Sequence, residues 1–519
     1  MEQDKSIQRL SGNPLLNLDE GIQIPDYDRS QVKTGIVHIG PSAFFRGHLA
    51  VYIDDLLQQG ETDWGICAVS LRTDDVRNAL EGQNNLYTVV EQSTQGNKAR
   101  VIGSVNKMLV ARESPQAVLD QLASPDTKLV TLTVTQSGYY YKNGNLDFDN
   151  EDIRKDLLNA DEPTSTVGYL VKALEMRMER GLGPFTVMSC DNLAGNGEIL
   201  SKVVRAYARE RSQTLHDWIE EHVEFPSTMV DRIVPRISDD HKKSLMNDFS
   251  LQDNWPIFTE KFRQFVITKP ENGAPMPAFE RAGALMVDEV APFELTKIRL
   301  LNGTHMALGM IGRLAGYTYA HEAINDPKIR GFVDGFMDEM IATLPAVPGV
   351  DLNQYRASVI DRLSSPFMKD ELQRLARNGV EKLDSRFLQA MRDHMATTPA
   401  GAAKKAPEHL SFAVATWVHY LKMSATMDIL DEKAAKNKYG EEARKGQNSF
   451  AFVATHPEIF GVDLATSSAF SGAFERHLKA IDAARENIVQ ALPAPQAPEK
   501  ENRMAVGAFM SASPYGPKL

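Results

Sequence analysis

Residues 294 to 305 read Glu-Leu-Thr-Lys-Ile-Arg-Leu-Leu-Asn-Gly-Thr-His, and four of them can do chemistry: Glu294, Lys297, Asn302 and His305. An α-helix turns about 100° per residue. With Lys297 at zero, Glu294 falls at about 60°, His305 at about 80° and Asn302 at about 140°. The four share one side of such a helix, while Ile298, Leu301 and Met306 can face packing surfaces. One wall can then present an amine, an amide, an imidazole and a carboxylate to one small volume. Those are the groups that move protons and orient hydroxyls. Read blandly, the same stretch is a helix with solvated charges and one capping amide.

The scaffold that must hold these groups is large. At 519 residues the chain exceeds one ordinary core, so two domains are expected, or three. Hydrophobic residues make up 42% and charged residues 24%, as in a globular protein. A formal net charge of −12 disfavours nucleic acid or an anionic membrane as a partner. The two cysteines, Cys67 and Cys190, are too few for a disulfide framework or a multi-cysteine zinc site and are expected as buried thiols. The start, Met-Glu-Gln-Asp-Lys, is unlike a signal peptide, and no run of 18 apolar residues occurs. A cytoplasmic protein acting on a small molecule is the expectation, as a monomer or weak homo-oligomer.

Along the chain, residues 1–33 read as a polar arm. Gly35–Ile39 then reads as a short buried strand, ended by Gly40-Pro41-Ser42, with helical periodicity over 43–59. Strand, glycine turn and helix open a dinucleotide-binding unit. Backbone N–H groups around Gly40, Ser42, Ala43 and Phe44 can hold a pyrophosphate, and Arg46 can reach a phosphate. The fingerprint wants glycine at 40, 42 and 45, where the chain has Gly40, Ser42 and Phe45, so an ordinary strand-to-helix turn competes. The next strand, 64–70, is followed by Asp74 and Asp75, acids that suit the adenosine ribose of NAD, whereas Arg72 suits a 2′-phosphate. Two acids against one base favour NAD, with NADP left open; a solvated turn explains the residues equally well.

Further strands are expected at 86–91, 100–105, 128–135 and 185–190. The last two end in the polar turns Gln136-Ser-Gly-Tyr139 and Asp191-Asn192, at the strand ends where ligands collect. Asn192 can orient a hydroxyl or carbonyl, or simply form a turn. The alternation predicts an α/β fold with a mostly parallel wound sheet, a Rossmann-type dinucleotide-binding domain over 1–286. Residues 270–278, rich in proline and glycine, read as a surface excursion. A mainly α-helical domain follows over 287–490, with helices expected at 295–316, 327–343, 352–363, 368–378, 385–396, 409–431, 436–456 and 468–490, then a loose proline-rich tail over 491–519.

Several blocks together resemble the polyol-specific long-chain dehydrogenases, the mannitol dehydrogenase family. They are Lys297-x4-Asn302-x2-His305, Val187-Met-Ser-Cys-Asp-Asn192, Met229-Val-Asp-Arg-Ile-Val-Pro235, Trp64-Gly-Ile-Cys67, Glu458-Ile-Phe-Gly461 and Ala473-Phe-Glu-Arg476. The resemblance spans nearly the whole chain. It implies NAD-dependent, metal-independent interconversion of a polyol and a ketose, D-mannitol and D-fructose first among them, in a cleft between the domains. It makes Lys297 the general base, which requires burial to lower its pKa. Asn192 and Asn302 become donors to the reacting oxygen, and His305 a binder of a neighbouring hydroxyl. It adds Glu294 on a proton route to solvent, and Asp231, Val230 and Arg374 as substrate contacts. Relatives usually carry glycine where Ser42 stands, histidine where Phe45 stands and often glutamate where Gln136 stands, so proton exit is expected to differ here. An arabinitol dehydrogenase or a hexuronate (fructuronate) reductase is the same-class alternative, the latter needing a cation such as Arg374 or Arg236. A catalytically silent nucleotide-binding sensor is the alternative outside the class.

Overall fold

The computed structural model describes residues 8–10, 21–93, 95–396, 405–445, 450–484 and 487–494. Much of the expected N-terminal arm (1–7 and 11–20), part of the expected 436–456 helix (446–449) and the tail from 495 onward lie outside the described residues. Two units emerge: Met1–Lys297 with Pro345–Asp370, and Ile298–Leu344 with Glu371–Leu519.

The first unit begins with β1 (Thr34–Ile39), α1 (Ala43–Gly47), α2 (Leu49–Gln58), β2 (Gly65–Ser70), β3 (Tyr87–Gln92), β4 (Lys98–Ile102), β5 (Val105–Val110), β6 (Leu129–Leu132) and β7 (Thr186–Ser189). Five strands form one parallel sheet in the order β7-β6-β1-β2-β5. The chain winds outward from β1 through β2 to β5, then returns to β6 on the other side. That reversal lies beside β1, where open α/β sheets bind ligands at the strands' carboxyl ends. Side chains alternate between two buried faces, as parallel sheets require. Val37, Ile39, Cys67, Val69, Val130, Leu132 and Val187 enter one core, with helix Thr166–Glu179. Ile36, Ile66, Ala68, Leu129 and Met188 enter the other, with α2. Both cysteines are buried free thiols, as expected.

The expected single helix over 43–59 is two helices, broken at His48 (φ −126°, ψ −88°). The break has a cause: the buried His48 ring bonds the Gln264 carbonyl at 2.9 Å and stacks on Phe44. Burial pushes its pKa down to about 3, so it packs as a neutral ring.

After β7 come α3 (Asn196–Arg211), β8 (Thr228–Asp231), β9 (Ile257–Glu260), β10 (Gln264–Thr268) and β11 (Leu285–Val287). β8, β10 and β11 make a second sheet; β9, β3, β4 and the two-residue strand Ile22–Gln23 make a third. The chain then enters α4 (Ala291–Thr296), a π-helical stretch Lys297–Gly303 and α5 (Thr304–Leu314).

The second unit is helical among its described residues. It includes α5, α6 (Pro327–Ile341), α8 (Glu408–Lys422) and α9 (Ser468–Ala484). α8 is buried around much of its circumference, with Trp417 at its centre, and α9 packs along it. The helix expected over 368–378 is only the turn Leu372–Leu375, and 385–396 begins as a π stretch, Asp384–Leu388.

The first unit is discontinuous in sequence, because Pro345–Asp370 returns to it. α7 (Leu352–Leu363) belongs to the first unit because Arg362 is buried there between Asp231 and Glu260. No helix among the described residues is long and apolar enough to cross a membrane.

Candidate active site

Lys297 follows the last residue of α4 and opens the π stretch. Its side chain is 6% exposed. Nζ donates to Asn192 Oδ1 and to the Val230 carbonyl, each at 2.6 Å. A π stretch closes hydrogen bonds between residues five apart, so it draws Lys297 and Asn302 toward one line along the axis. The uniform α-helical wheel, which set them about 140° apart, is corrected at this point. Single π turns inside α-helices concentrate at functional sites.

Glu294 lies three residues before Lys297, and both its carboxylate oxygens are 3.3 Å from the Gly195 N–H. Burial raises its pKa above the usual value, against the lowering pull of that N–H and of Lys297.

The loop after β7 is built to hold Asn192. Asp191 accepts from Val134 N (2.9 Å), Thr135 N (3.1 Å) and the Tyr139 hydroxyl (2.7 Å), which ties the ends of β6 and β7 together. Burial raises the Asp191 pKa. The buried Asn196 side chain accepts from Thr228 N at 3.0 Å and donates to Thr228 O (2.9 Å) and Asp191 O (3.1 Å). One amide therefore clamps the Asn192 loop to β8, the strand that offers Val230 O to Lys297. Close approach here needs glycine: a Cβ on Gly197 would sit 2.5 Å from Phe225 O and 2.8 Å from Ser227 N.

Asp231, expected to meet substrate, has Oδ1 and Oδ2 held by Arg362 at 2.9 and 2.7 Å. The same guanidinium grips both Glu260 oxygens at 2.8 Å and lies over the Phe262 ring. Neither Glu260 nor Arg362 was legible in the sequence. They lie about a hundred residues apart with no shared motif.

On the coenzyme side, Gly40 adopts φ +95°, and a Cβ there would fall 2.2 Å from the Thr133 carbonyl. Ser42 caps α1 by accepting from Phe45 N at 3.1 Å. The first-turn N–H groups, those of Ala43 and Phe44 among them, have no carbonyl partner within a helix and can take a pyrophosphate. Phe45, standing where a third glycine was wanted, is buried and stacks on His38 at 3.6 Å between centroids. His38 is held by Thr131, Thr133 and the Gly40 carbonyl, and burial pushes its pKa to about 3. Arg46 does not fit the role expected of it. Its guanidinium is buried, donates to the Trp255 carbonyl at 2.7 Å and lies over the Tyr87 and Trp255 rings, so it is closed to a phosphate. Asp74 and Asp75 sit beyond the carboxyl end of β2, half-buried and exposed respectively.

In the second unit, Asn302 and His305 are half-buried, and Arg374 is exposed on its short helix. Arg374, Arg377 and Arg386 lie near enough to act electrostatically on Lys382. Burial first, and these cations next, lower its pKa to about 8. Lys382, Arg377 and Arg386 were not singled out in the sequence, because basic residues on a helical stretch look like solvated charge.

Two family models match in tandem: the mannitol dehydrogenase Rossmann domain over residues 34–281 and the mannitol dehydrogenase C-terminal domain over residues 289–482. The chain is 40% identical over 494 residues to the mannitol 2-dehydrogenase of Neosartorya fischeri, covering 91% of this chain and 95% of the relative. It is 39% identical over 490 residues to that of Aspergillus clavatus, with the same two coverages, 91% and 95%. Among solved structures, a D-sorbitol dehydrogenase in substrate-free form matches with TM-score 0.85 and 32% identity, over 93% of this chain and 100% of that one. The Pseudomonas fluorescens mannitol 2-dehydrogenase in ternary complex with NAD and D-mannitol matches with TM-score 0.79 and 34% identity, over 93% and 99% of the two chains. With the sheet order, the Lys297–Asn192 pairing and matches along nearly its whole length, the chain belongs to the mannitol dehydrogenase family.

Proposed function

We propose that this chain is a polyol dehydrogenase that oxidises D-mannitol to D-fructose and catalyses the reverse, with NAD as coenzyme, Lys297 as general base and no metal in the proton step. The observation that carries the reading is the hydrogen bonding of Lys297. A neutral amine has two N–H donors and one lone pair. Asn192 Oδ1 and Val230 O, each at 2.6 Å, match the two donors. The amine held in this way is the group assigned to take the proton of a substrate hydroxyl.

The coenzyme fits the turn around Gly40, Ser42, Ala43 and Phe44 for its pyrophosphate, and Asp74 with Asp75 for its adenosine ribose. When bound, its nicotinamide supplies the hydride acceptor. The remaining roles belong to side chains of the chain. Asn192, whose Oδ1 is taken by Lys297, turns its Nδ2 donors toward the reacting oxygen. Asn302, five residues along the same helix, supports the same oxygen as charge develops on it. His305 orients a neighbouring hydroxyl. Glu294 passes the proton from Lys297 to solvent. Asp231, its carboxylate oriented by Arg362, contacts a further hydroxyl beside Val230.

A second reading, a hexuronate such as fructuronate as substrate, is favoured by the basic group Arg374, Arg377, Lys382 and Arg386. One assay separates the two: NADH formation or consumption with mannitol, sorbitol, arabinitol, fructose and fructuronate, with and without a chelator. Turnover of mannitol and fructose that survives the chelator is expected. Lys297→Ala should lower it by at least about 100-fold while NADH still binds. Near-normal turnover by that variant would remove the base assignment, and turnover of fructuronate alone would install the second reading.

A further inference from the structure

The carboxyl ends of β2 and β5 lie side by side: Ser70 pairs with Val110, and Ala111 N donates to Ser70 O at 2.8 Å. The loops leaving these two strands start level and cross the same edge of the sheet. One carries Asp74, the other Arg112. Arg112 Nη2 lies 2.8 Å from Asp74 Oδ1. Arg77 Nη2 lies 4.0 Å from Asp74 Oδ2 and 2.9 Å from Glu113 Oε1.

In this fold, the acid beyond the second strand accepts from the ribose hydroxyls and repels a phosphate on that ribose. An arginine at the same place does the reverse. Here the acid has an arginine fork laid on it from the loop after the neighbouring strand, so the pair is balanced in charge. The pair is loosely held: the arginine side chain is 53% exposed and the aspartate 29%. Asp74 can exchange the guanidinium for a ribose hydroxyl. Equally, Arg112 can exchange the carboxylate for a phosphate, whose oxygens suit its planar fork. Asp74 is held below the usual carboxylate range, first by Asn78 and also by Arg112. It therefore stays charged at neutral pH and does not by itself admit a phosphate.

We propose that Arg112 makes the coenzyme site two-way, so that the chain takes NADP as well as NAD, with Arg112, assisted by Arg77, holding the 2′-phosphate. This rests on the reading of the β1–β2 edge as a dehydrogenase coenzyme site. The sequence singled out Asp74, Asp75 and Arg72 from one loop. Arg112, from the loop after β5, reaches the position only through the sheet order.

The test is the ratio of dissociation constants for NADPH and NADH, read by quenching of protein fluorescence in the full-length chain. Wild type should bind NADPH less than about 100-fold more weakly than NADH. Arg112→Gln should raise that ratio at least about tenfold, and Asp74→Asn should lower it. A wild-type ratio well above 100, or a ratio that Arg112→Gln leaves within about threefold, overturns this proposal and leaves the dehydrogenase reading standing. Failure to bind either coenzyme overturns both.

Discussion

Glu294 shows how one buried carboxyl couples the site to pH. Its side chain meets the Gly195 N–H and stands one helical turn from Lys297. Burial raises its pKa above 4.5, so the folded chain holds that proton more tightly than the unfolded chain does. The stabilisation is complete below the unfolded value and is lost as pH rises through the folded value. As pH rises the wild type must therefore ionise a carboxyl where burial disfavours the charge. Glu294→Gln removes that dependence. It is expected to melt about 1–2 °C above wild type at pH 8, with the gap narrowing as pH falls toward 4.5, read by calorimetric scans across that range. A gap that widens on acidification would contradict the assignment. The same substitution tests the proton route separately, because an amide cannot relay a proton whatever it does to stability.

The contact of α3 with β8 sets the distance between two of the groups around Lys297. Asn196 begins α3 and clamps both Asp191 O and the Thr228 backbone; Gly197 follows it with no room for a methyl group. Gly197→Ala would push α3 away from backbone atoms that cannot rotate aside. We expect a loss of about 1–3 kcal/mol in urea denaturation. Turnover should fall more steeply than coenzyme binding, because the clamp on the Asn192 loop loosens. A variant with altered stability and wild-type kinetics would show that the clamp does not set the site. Elements are also where sequence reading met its limits. Strands β1, β2, β6 and β7 were legible from β-branched runs ended by turns. The broken helix at His48 and the π stretch at Lys297 were not, because each depends on tertiary partners or on a backbone geometry that a fixed 100° period cannot express. Asn302 was placed on the right helix with the wrong rotation for that reason.

Across the whole molecule, what the sequence made legible followed from local pattern, and what it hid followed from contacts distant in the chain. The parallel sheet, the buried thiols, the helical second half and the tandem blocks around Asn192 and Lys297 all leave traces within short windows. The return of residues 345–370 to the first unit leaves none. Leu352–Leu363 reads as one more amphipathic helix, and its allegiance is decided by Arg362 meeting two acids that come from β8 and β9. Three charged side chains, each less than a tenth exposed, are tolerable only together. The net charge of the triad is negative, so the arginine is the member whose loss is worst. Arg362→Met keeps an apolar side chain but loses the guanidinium that lies over Phe262 and strands Asp231 and Glu260 beside each other. It should cost about 3–5 kcal/mol in denaturant unfolding. A second variant separates charge from packing. Arg362→Met combined with Asp231→Asn and Glu260→Gln removes all three charges of the triad and should recover at least half of that loss. If instead the triple variant were as unstable as Arg362→Met alone, shape rather than ion pairing would be what holds α7 in the first unit.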